Sequence, residues 1–212
     1  MKPDIAGKTP QEFWQERYAA QSGETSGKPT HTLERFATGR SPGDALDLGC
    51  ARGDDVVWLA KQGWRVLGVD IAEAALAHTA SNAERNGVRD RVRLERCDLS
   101  ESFPEGLFDL VTASFLQTPF DFPWEAVIAR AAEAIRTGGM LVTVTHQRVA
   151  PWSWQPCKQD LPGAEDLLER VDLNPDDWAR IFVGPVERMA KLPSGQSAGV
   201  TDAVIVLERS RT

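Results

Sequence analysis

The sequence has few of the residues that stabilise folds by covalent bonds or metals. Three cysteines occur in 212 residues, at Cys50, Cys97 and Cys157, and no two of them form a Cys-x-x-Cys pair. A disulfide framework and a cysteine metal site are both disfavoured, and no metal is expected. A reducing, cytoplasmic compartment suits such a chain. At this length one domain can bury roughly 70% of its unfolded surface without such links.

Long apolar runs and excess positive charge are also missing. No apolar stretch approaches the ~20 residues of a membrane helix, and residues 1–7 lack the apolar segment of a signal peptide. Twenty-four Lys and Arg against 31 Asp and Glu leave a net charge of −7, which repels a phosphate backbone. We therefore expect no membrane partner and no nucleic-acid partner.

Short β-rich runs alternate with helical patterns along the chain. This alternation predicts a parallel sheet covered by helices. The predicted strands are 45–48, 64–69, 92–96, 110–113 and 140–145, and the predicted helices between them are 54–62, 73–86 and 124–135. Apolar and aromatic residues at helical spacing over 10–20 predict a covering helix before the first strand.

The pattern changes after the fifth strand. Residues 150–163 contain several prolines together with Trp152 and Trp154, which indicates a surface loop. A helix is predicted over 164–171, and 174–177 is typical of a helix start with proline at its first position. The runs 181–192 and 202–208 are too close for a crossover helix and predict an antiparallel hairpin.

The chemistry is expected at the loop after the first strand, which reads Asp47-Leu48-Gly49-Cys50-Ala51-Arg52-Gly53. A glycine-bearing turn between a strand and a helix lets the backbone approach a ligand closely. A dinucleotide-binding turn has the spacing Gly-x-Gly-x-x-Gly and places a pyrophosphate at the helix start. Here the helix opens with Asp54 and Asp55, whose charges repel a pyrophosphate, so NAD is disfavoured. We expect both acids to be solvated.

The same loop resembles the first motif of class I S-adenosylmethionine-dependent methyltransferases, acidic-x-Gly-x-Gly-x-Gly. Three of its four landmark positions match, at Asp47, Gly49 and Gly53, and Ala51 replaces the middle glycine. We expect the loop to tolerate this alanine if its φ angle stays negative. The resemblance implies S-adenosyl-L-methionine as the cofactor and methyl transfer as the reaction.

Further positions carry the resemblance along the predicted sheet edge. Asp70 ends the second strand, where a carboxylate accepts both ribose hydroxyls, and Asp98 and Leu99 follow the third strand, where the family meets the adenine edge. Ile71 is expected to pack on the adenine face. The full expected cofactor-binding set is Tyr18, Asp47, Gly49, Cys50, Ala51, Gly53, Asp70, Ile71, Asp98, Leu99 and Ser114.

Segments outside this loop resemble one group within the family, so that the resemblance covers nearly the whole chain. Residues 13–18 (FWQERY) and 27–29 (GKP) are similar to the Trp-x-x-Arg-Tyr and Ser-Gly-x-Pro-Asn segments of bacterial small-molecule methyltransferases related to the tellurite-resistance and thiopurine enzymes. The resemblance implies a small-molecule acceptor. It also implies that Tyr18 lies near the methionine end of the cofactor.

The acceptor pocket is expected where the fourth and fifth strands end. Phe115, Leu116 and Gln117 follow the fourth strand, and Trp152 lies in the proline-rich loop. His146 follows the fifth strand, at the edge where open α/β sheets bind ligands. An imidazole there could take a proton from a thiol or hydroxyl. A histidine that is merely hydrogen-bonded at a strand end is the alternative.

These expectations describe one domain with a Rossmann-like, doubly wound α/β sheet of seven strands. We divide residues 1–212 into N-terminal cap helices (1–40), a cofactor-binding core (41–146), an acceptor-side loop with helices (147–180) and the terminal hairpin (181–212). A non-catalytic cofactor-binding protein stays an alternative. A nicotinamide-dependent oxidoreductase is less favoured, because the only tyrosine, Tyr18, is not part of a Tyr-x-x-x-Lys pair. The sequence makes no prediction of the oligomeric state.

Overall fold

The computed structural model describes residues 5–25, 27–153, 161–192 and 194–210. Seven strands within these residues form one sheet, with the bounds β1 Asp44–Leu48, β2 Arg65–Asp70, β3 Val92–Arg96, β4 Phe108–Ser114, β5 Ile135–Arg148, β6 Trp178–Lys191 and β7 Ser197–Arg209. The strand order is β3-β2-β1-β4-β5-β7-β6. Strands β1 to β5 pair in parallel, and β7 is antiparallel to both β5 and β6. The predicted doubly wound sheet with a terminal antiparallel hairpin is confirmed.

Six α-helices pack around this sheet in the described residues. They are α1 Pro10–Ala19, α2 His31–Ala37, α3 Asp54–Lys61, α4 Glu73–Arg85, α5 Trp124–Glu133 and α6 Ala164–Val171. The side chains of Thr9 and Glu12 form a reciprocal capping box at the start of α1. The sequence pattern did not locate α2, which lies between the covering helix and β1.

The strongest difference from the predicted elements lies around Gly138 and Gly139. These glycines were expected to separate a helix from the fifth strand, but β5 already begins at Ile135 and continues through them. The parallel pairing of β4 with β5 shifts register between Phe108 and Leu110, which is a β-bulge. A Cβ on Gly139 would lie 2.8 Å from Cγ2 of Ile135, so the bulge requires glycine there.

The predicted helix start at 174–177 is a single 3-10 turn. The Asn174 side chain accepts a hydrogen bond from the Asp176 amide, as expected of an N-cap, but the turn covers only Pro175–Asp177. Strand β6 begins directly afterwards, at Trp178. The cap therefore serves a turn that feeds the hairpin.

The sheet is buried on both faces. On one face Leu141 and Ile205 pack with Ile128 of α5, and on the other Val142 packs with Leu59 of α3 and residues of α2. Each such side chain contributes roughly 1.5–3 kcal/mol when it is fully buried. These two cores fix the sheet rigidly, so that its carboxyl edge is a firm platform for a site.

Helix α1 lies across that edge because it is anchored to α4. The Gln15 side chain accepts a hydrogen bond from the Ala74 amide at 3.0 Å, and His78 Nε2 lies 3.0 Å from the Tyr18 carbonyl oxygen. The covering helix predicted from the sequence is therefore confirmed in position and length. In the part of the chain that is described, no helix has the length and apolarity to cross a bilayer.

Candidate active site

In the loop after β1, every second residue has a left-handed backbone conformation. The φ angles are 71° at Gly49, 51° at Ala51 and 82° at Gly53. The expectation that Ala51 keeps a negative φ is wrong. A left-handed conformation costs an L-residue roughly 1–2 kcal/mol. Ala51 is held in it by two hydrogen bonds, from its amide to Asp70 at 3.0 Å and from Thr79 Oγ1 to its carbonyl oxygen at 3.1 Å.

Both glycines of the loop also have a packing role. A Cβ on Gly49 would lie 2.7 Å from Cδ1 of Leu116, and one on Gly53 would lie 2.5 Å from Cγ2 of Thr79. The amides of Gly49 and Cys50 both donate to the Val69 carbonyl oxygen at 2.9 Å. The loop is therefore folded tightly against the end of β2.

Asp70, the last residue of β2, is buried beneath this loop. Its two carboxylate oxygens accept hydrogen bonds from the amides of Ala51 and Ala72, each at 3.0 Å. Burial raises the pKa of Asp70 to about 6, although these backbone hydrogen bonds act in the opposite direction. Each oxygen keeps a further lone pair, so the carboxylate can still accept from a ligand.

Asp47 and Asp55 are buried close to Asp70. Their exposed fractions are 3% and 7%, so the expectation that Asp55 is solvated is wrong. Asp55 faces inward from the first turn of α3 and accepts hydrogen bonds from the Thr30 amide at 2.6 Å and the Thr30 hydroxyl at 2.9 Å. Asp54, by contrast, is half-buried.

Burial raises the pKa of both of these carboxyls. The charges of Asp55 and Asp70 raise the pKa of Asp47 further, whereas the hydrogen bonds from Thr30 partly offset the effect at Asp55. Three acids thus share a small region of low solvent access beneath the loop. A cation in this region would favour the ionised form of the carboxyls and an anion would disfavour it, so the region suits a cationic ligand.

An open crevice of about 730 Å³ runs along the carboxyl edge from β3 to β4. The expected cofactor residues in its lining are Tyr18, Gly49, Asp70, Ile71, Asp98 and Leu99. The expected acceptor residues in it are Phe115, Leu116 and Gln117. The Asp98 carboxylate also accepts from the Ser100 amide at 3.0 Å and the Ser100 hydroxyl at 2.6 Å, which fixes its orientation in the turn after β3.

A second cavity, of about 670 Å³, continues past the loop of β1. It contains the remaining expected cofactor residues, Asp47, Cys50, Ala51, Gly53 and Ser114. Residues 28–30 also line it and were not predicted. Gly49 and Phe115 belong to both linings, so the expected cofactor set surrounds one continuous edge.

Tyr18 closes the crevice from α1. Its ring stacks on Trp14 with 5.8 Å between centroids. Burial, and then the nearby negative charge of Asp70, raise the pKa of the Tyr18 hydroxyl well above its usual value. The phenol therefore stays neutral and is able to donate a hydrogen bond into the crevice.

Two further residues of the expected site are Cys50 and Trp152. Cys50 is buried, with its sulfur 3.8 Å from Thr79 Oγ1, and burial raises the pKa of its thiol, which suits a packing residue rather than a nucleophile. Trp152 is half-buried in the turn after β5. The neighbouring Ser153 lines a cavity beside His146, whereas Trp152 is absent from the lining of the three cavities described in this subsection. Trp154 and Cys157 lie outside the described residues.

His146 lies in this third cavity, of about 720 Å³, together with Arg17, Tyr18 and Gln117. Its Nδ1 is 3.3 Å from Asp202 Oδ1, and its amide donates to Gln117 Oε1 at 2.8 Å. The imidazole also stacks on Phe115 with 4.4 Å between centroids. His146 is therefore hydrogen-bonded at a strand end and also exposed to this third cavity, which adjoins the crevice because both are lined by Tyr18, Phe115 and Gln117.

Asp202 and Arg188 were not identified from the sequence as site residues. Arg188 of β6 donates from Nε and from its terminal nitrogen to Asp202 at 2.5 and 3.2 Å. Asp202 is the register partner of His146 in the antiparallel pairing of β5 with β7. The available signal was an acidic residue directly before the apolar run 203–207, and the register with His146 could not be derived from the sequence.

The comparisons with known proteins agree with this geometry. Residues 45–139 match a family model described as a methyltransferase domain. By this match, slightly less than half of the chain is similar to methyltransferase domains. The matched segment includes β1, the loop after it, Asp70 and Asp98.

Two curated methyltransferases match parts of this chain. The nocamycin O-methyltransferase of Saccharothrix syringae is 40% identical over 103 residues, which are 46% of this chain and 36% of that protein. The ribosomal RNA small subunit methyltransferase C of Alcanivorax borkumensis is 30% identical over 120 residues, 53% of this chain and 35% of that protein. The chain thus spans little more than a third of the length of these relatives.

A solved structure extends the likeness of the fold. TehB from Haemophilus influenzae aligns with a TM-score of 0.68 at 18% identity, covering 93% of this chain and 67% of that one. At this level of identity the likeness concerns the fold, including the terminal hairpin. The function of this chain is therefore argued from its own residues.

Proposed function

We propose that this domain binds S-adenosyl-L-methionine along the carboxyl edge of its sheet and transfers the methyl group to a small-molecule acceptor by in-line displacement. The observation that carries the proposal is the buried Asp70 carboxylate. It orients the loop through the Ala51 amide and keeps acceptor capacity toward the crevice. A nucleoside ribose offers two hydroxyl donors to such a group.

The crevice suits the three parts of the cofactor in order along the sheet. Asp98, Leu99 and Ile71 line the end next to β3, which suits the adenine. Asp70 lies between this end and the loop of β1, which suits the ribose. The second cavity, with Asp47 and residues 28–30, suits the amino-acid end.

The charge at the loop favours a cationic ligand over a dinucleotide. The sulfonium and the ammonium of S-adenosylmethionine both carry positive charge, and the buried acids Asp47, Asp55 and Asp70 lie beneath the loop. A pyrophosphate in the same place would meet these carboxylates and also Asp54 at the start of α3. The nicotinamide alternative is therefore less favoured on electrostatic grounds.

The acceptor pocket is proposed at the ends of β4 and β5. Phe115 and Leu116 supply apolar surface there, and Gln117 and His146 supply polar groups. One relative's name specifies ribosomal RNA as its target and another's an O-methylation. The net charge of −7 and the confined space beneath α1 favour a small molecule here.

Little acid–base machinery is needed for this reaction. The cofactor supplies an activated methyl group, so the protein mainly aligns the acceptor with it and excludes water. Phe115, Leu116 and Tyr18 limit solvent access to the crevice. His146 is proposed to take the proton of an acceptor that is not already an anion.

The proposal is tested by the release of S-adenosylhomocysteine during incubation with S-adenosylmethionine and separate acceptors. Suitable probes are catechol, thiophenol, iodide and a ribosomal RNA fragment. Turnover with one of the small molecules is expected, and turnover with RNA alone would contradict the proposed acceptor class. Cofactor binding without turnover on any probe would favour the non-catalytic alternative.

A further inference from the structure

The side chains behind His146 form a connected cluster that methyl transfer from the cofactor does not by itself require. The cluster consists of His146, Asp202, Arg188, Phe115 and Gln117. Asp202 has an exposed fraction of 4%. Its carboxylate is hydrogen-bonded to the side chains of His146 in β5 and Arg188 in β6. A buried carboxylate with this many donors is fixed in orientation.

The protonation of Asp202 determines which atom of the pair carries the hydrogen. Burial raises the pKa of Asp202, but the hydrogen bonds from His146 and Arg188 outweigh burial and hold that pKa below its usual value. Asp202 is therefore a carboxylate and can only accept. His146 Nδ1, at 3.3 Å, must then donate.

The other ring nitrogen is left available. His146 Nε2 has no hydrogen-bond partner among the described residues, and the His146 side chain is 28% exposed in the crevice wall. In a neutral imidazole that donates from Nδ1, Nε2 is an acceptor. Its lone pair therefore lies in the plane of a ring that borders the crevice.

Two further contacts hold the plane of the ring. Phe115 stacks on the imidazole with 29° between the planes, and the Arg188 guanidinium lies 5.5 Å from the Phe115 centroid on the side of β6. Gln117 fixes the backbone by accepting from the His146 amide. Rotation of the imidazole would break the stacking and the hydrogen bond to Asp202 together.

We propose that Asp202 and Arg188 are positioning residues that hold His146 as the Nδ1–H tautomer, so that Nε2 takes the proton of a protic acceptor, an alcohol or phenol O–H or a thiol S–H. The inference rests on the proposed function for the identity of the reaction. As the acceptor oxygen or sulfur bonds to the methyl carbon, the carbon–sulfur bond of the sulfonium breaks and its electron pair stays on sulfur. The acceptor proton moves to His146 Nε2, and Asp202 stabilises the resulting imidazolium.

The tautomer is measured directly by long-range ¹H–¹⁵N correlation spectroscopy at pH 8.5 on protein labelled with ¹⁵N-histidine. The chain has three histidines, and His146→Gln assigns the signals of interest by removing them. His78 is an internal reference of the opposite kind, because its Nε2 must donate to the Tyr18 carbonyl oxygen. We expect Nδ1–H at His146 and Nε2–H at His78. A proton on His146 Nε2, alone or together with Nδ1, would overturn the proposal in the wild-type protein itself.

Asp202→Asn tests the role of the carboxylate. Arg188 has only donors, so the single amide oxygen of the variant faces Arg188 and the amide NH₂ turns toward His146 Nδ1. The tautomer is then expected to invert to Nε2–H. Glu187→Gln, an exposed neutral substitution on the same strand, is the matched control and should leave the tautomer unchanged. An unchanged tautomer in Asp202→Asn would contradict the positioning role.

Calorimetry with S-adenosylhomocysteine separates this inference from the proposed function. Asp202→Asn should bind this probe within about threefold of the wild type, because the cluster lies on the acceptor side of the crevice. A tenfold or greater loss would assign the cluster to the cofactor site and overturn the inference. Failure of the wild type to bind the probe would refute the proposed function while the tautomer result stood.

Discussion

Two of the described non-glycine residues with positive φ, Ala51 and Phe115, border the crevice. Strained backbone of this kind persists only where the surroundings determine it, and it is common at ligand sites. At Ala51 the surroundings are Asp70 and Thr79. At Phe115 they are the amide hydrogen bond to Val144 at 2.7 Å and the stacking on His146.

Ala51→Gly is expected to raise the free energy of unfolding by up to about 1 kcal/mol. Glycine removes the roughly 1–2 kcal/mol that the left-handed conformation costs alanine. Its greater freedom in the unfolded chain lowers the free energy of unfolding by about 0.5–1 kcal/mol, which offsets part of this gain. Urea denaturation measures the difference. The control Ala77→Gly, at an exposed position inside α4, should lower the free energy by about 1 kcal/mol. Equal destabilisation by both changes would show that Ala51 is unstrained.

Asp70 gives cofactor binding a specific dependence on pH. Its pKa is raised to about 6, and ribose hydroxyls donate a stronger hydrogen bond to the ionised form than to the protonated one. Affinity for S-adenosylmethionine should therefore be constant well above pH 6 and fall as the pH drops through 6, by up to about tenfold per pH unit. Asp70→Asn should bind more weakly at pH 8, and its affinity should fall less steeply than that of the wild type as the pH drops through 6.

The control for this prediction is Asp90→Asn, in the exposed turn that precedes β3. This turn lies at the opposite end of β3 from Asp98. It should keep both the wild-type affinity and the wild-type pH profile, as measured by calorimetry between pH 4.5 and 8. A wild-type affinity that does not change through pH 6 would show that the protonation of Asp70 has no effect on cofactor binding.

At the scale of elements, α1 covers the crevice with few buried residues of its own. Phe13 is its one buried residue, and its anchors to α4 are the hydrogen bonds of Gln15 and of the Tyr18 carbonyl oxygen. Elements with few buried contacts open at low free energy. A ligand beneath α1 would contact Trp14 and Tyr18 from the crevice side.

Cofactor binding should therefore slow amide hydrogen exchange in Pro10–Ala19 by tenfold or more. Exchange in Trp178–Lys191, at the far edge of the sheet, should stay unchanged and serves as the internal control. Gln15→Ala should speed exchange of α1 in the free protein and reduce the protection by S-adenosylhomocysteine. Equal protection of both elements would indicate a global stabilisation rather than closure by α1.

The elements were largely predictable from the sequence because local patterns determine them. The bounds of β3 and α6 match the expected ones at every residue, and the hairpin followed from the short connection between its strands. The start of β5 was missed because Gly138 and Gly139 form a bulge within the strand. A glycine pair has the same appearance in a sequence whether it ends a helix or bends a strand.

The site was predictable where neighbouring residues in the chain share one loop, as Gly49 and Gly53 do. It was not predictable where contacts join distant segments. Asp55 was misassigned as solvated because its partner, Thr30, lies in an element that the pattern did not locate. Asp202 lies 56 residues from His146, and the register between β5 and β7 depends on the packing of both faces of the sheet.

At the scale of the whole molecule, the sheet brings buried acidic residues and an open crevice to the same edge. The carboxyl ends of β1 to β4 meet along one edge, two apolar cores fix that edge, and the acids Asp47, Asp55 and Asp70 are buried beneath its first loop. The proposed function depends on the presence of a buried acidic region and an open crevice at the same edge of the sheet. Neither feature alone distinguishes a methyltransferase from other proteins with a doubly wound sheet.

The most direct test of this claim is isothermal titration calorimetry of the wild-type protein with S-adenosylmethionine and, separately, with NAD⁺, at pH 8. We predict saturable one-to-one binding of S-adenosylmethionine and no detectable heat of binding with NAD⁺ at the same concentrations. Binding of NAD⁺, or the absence of S-adenosylmethionine binding, would contradict the account.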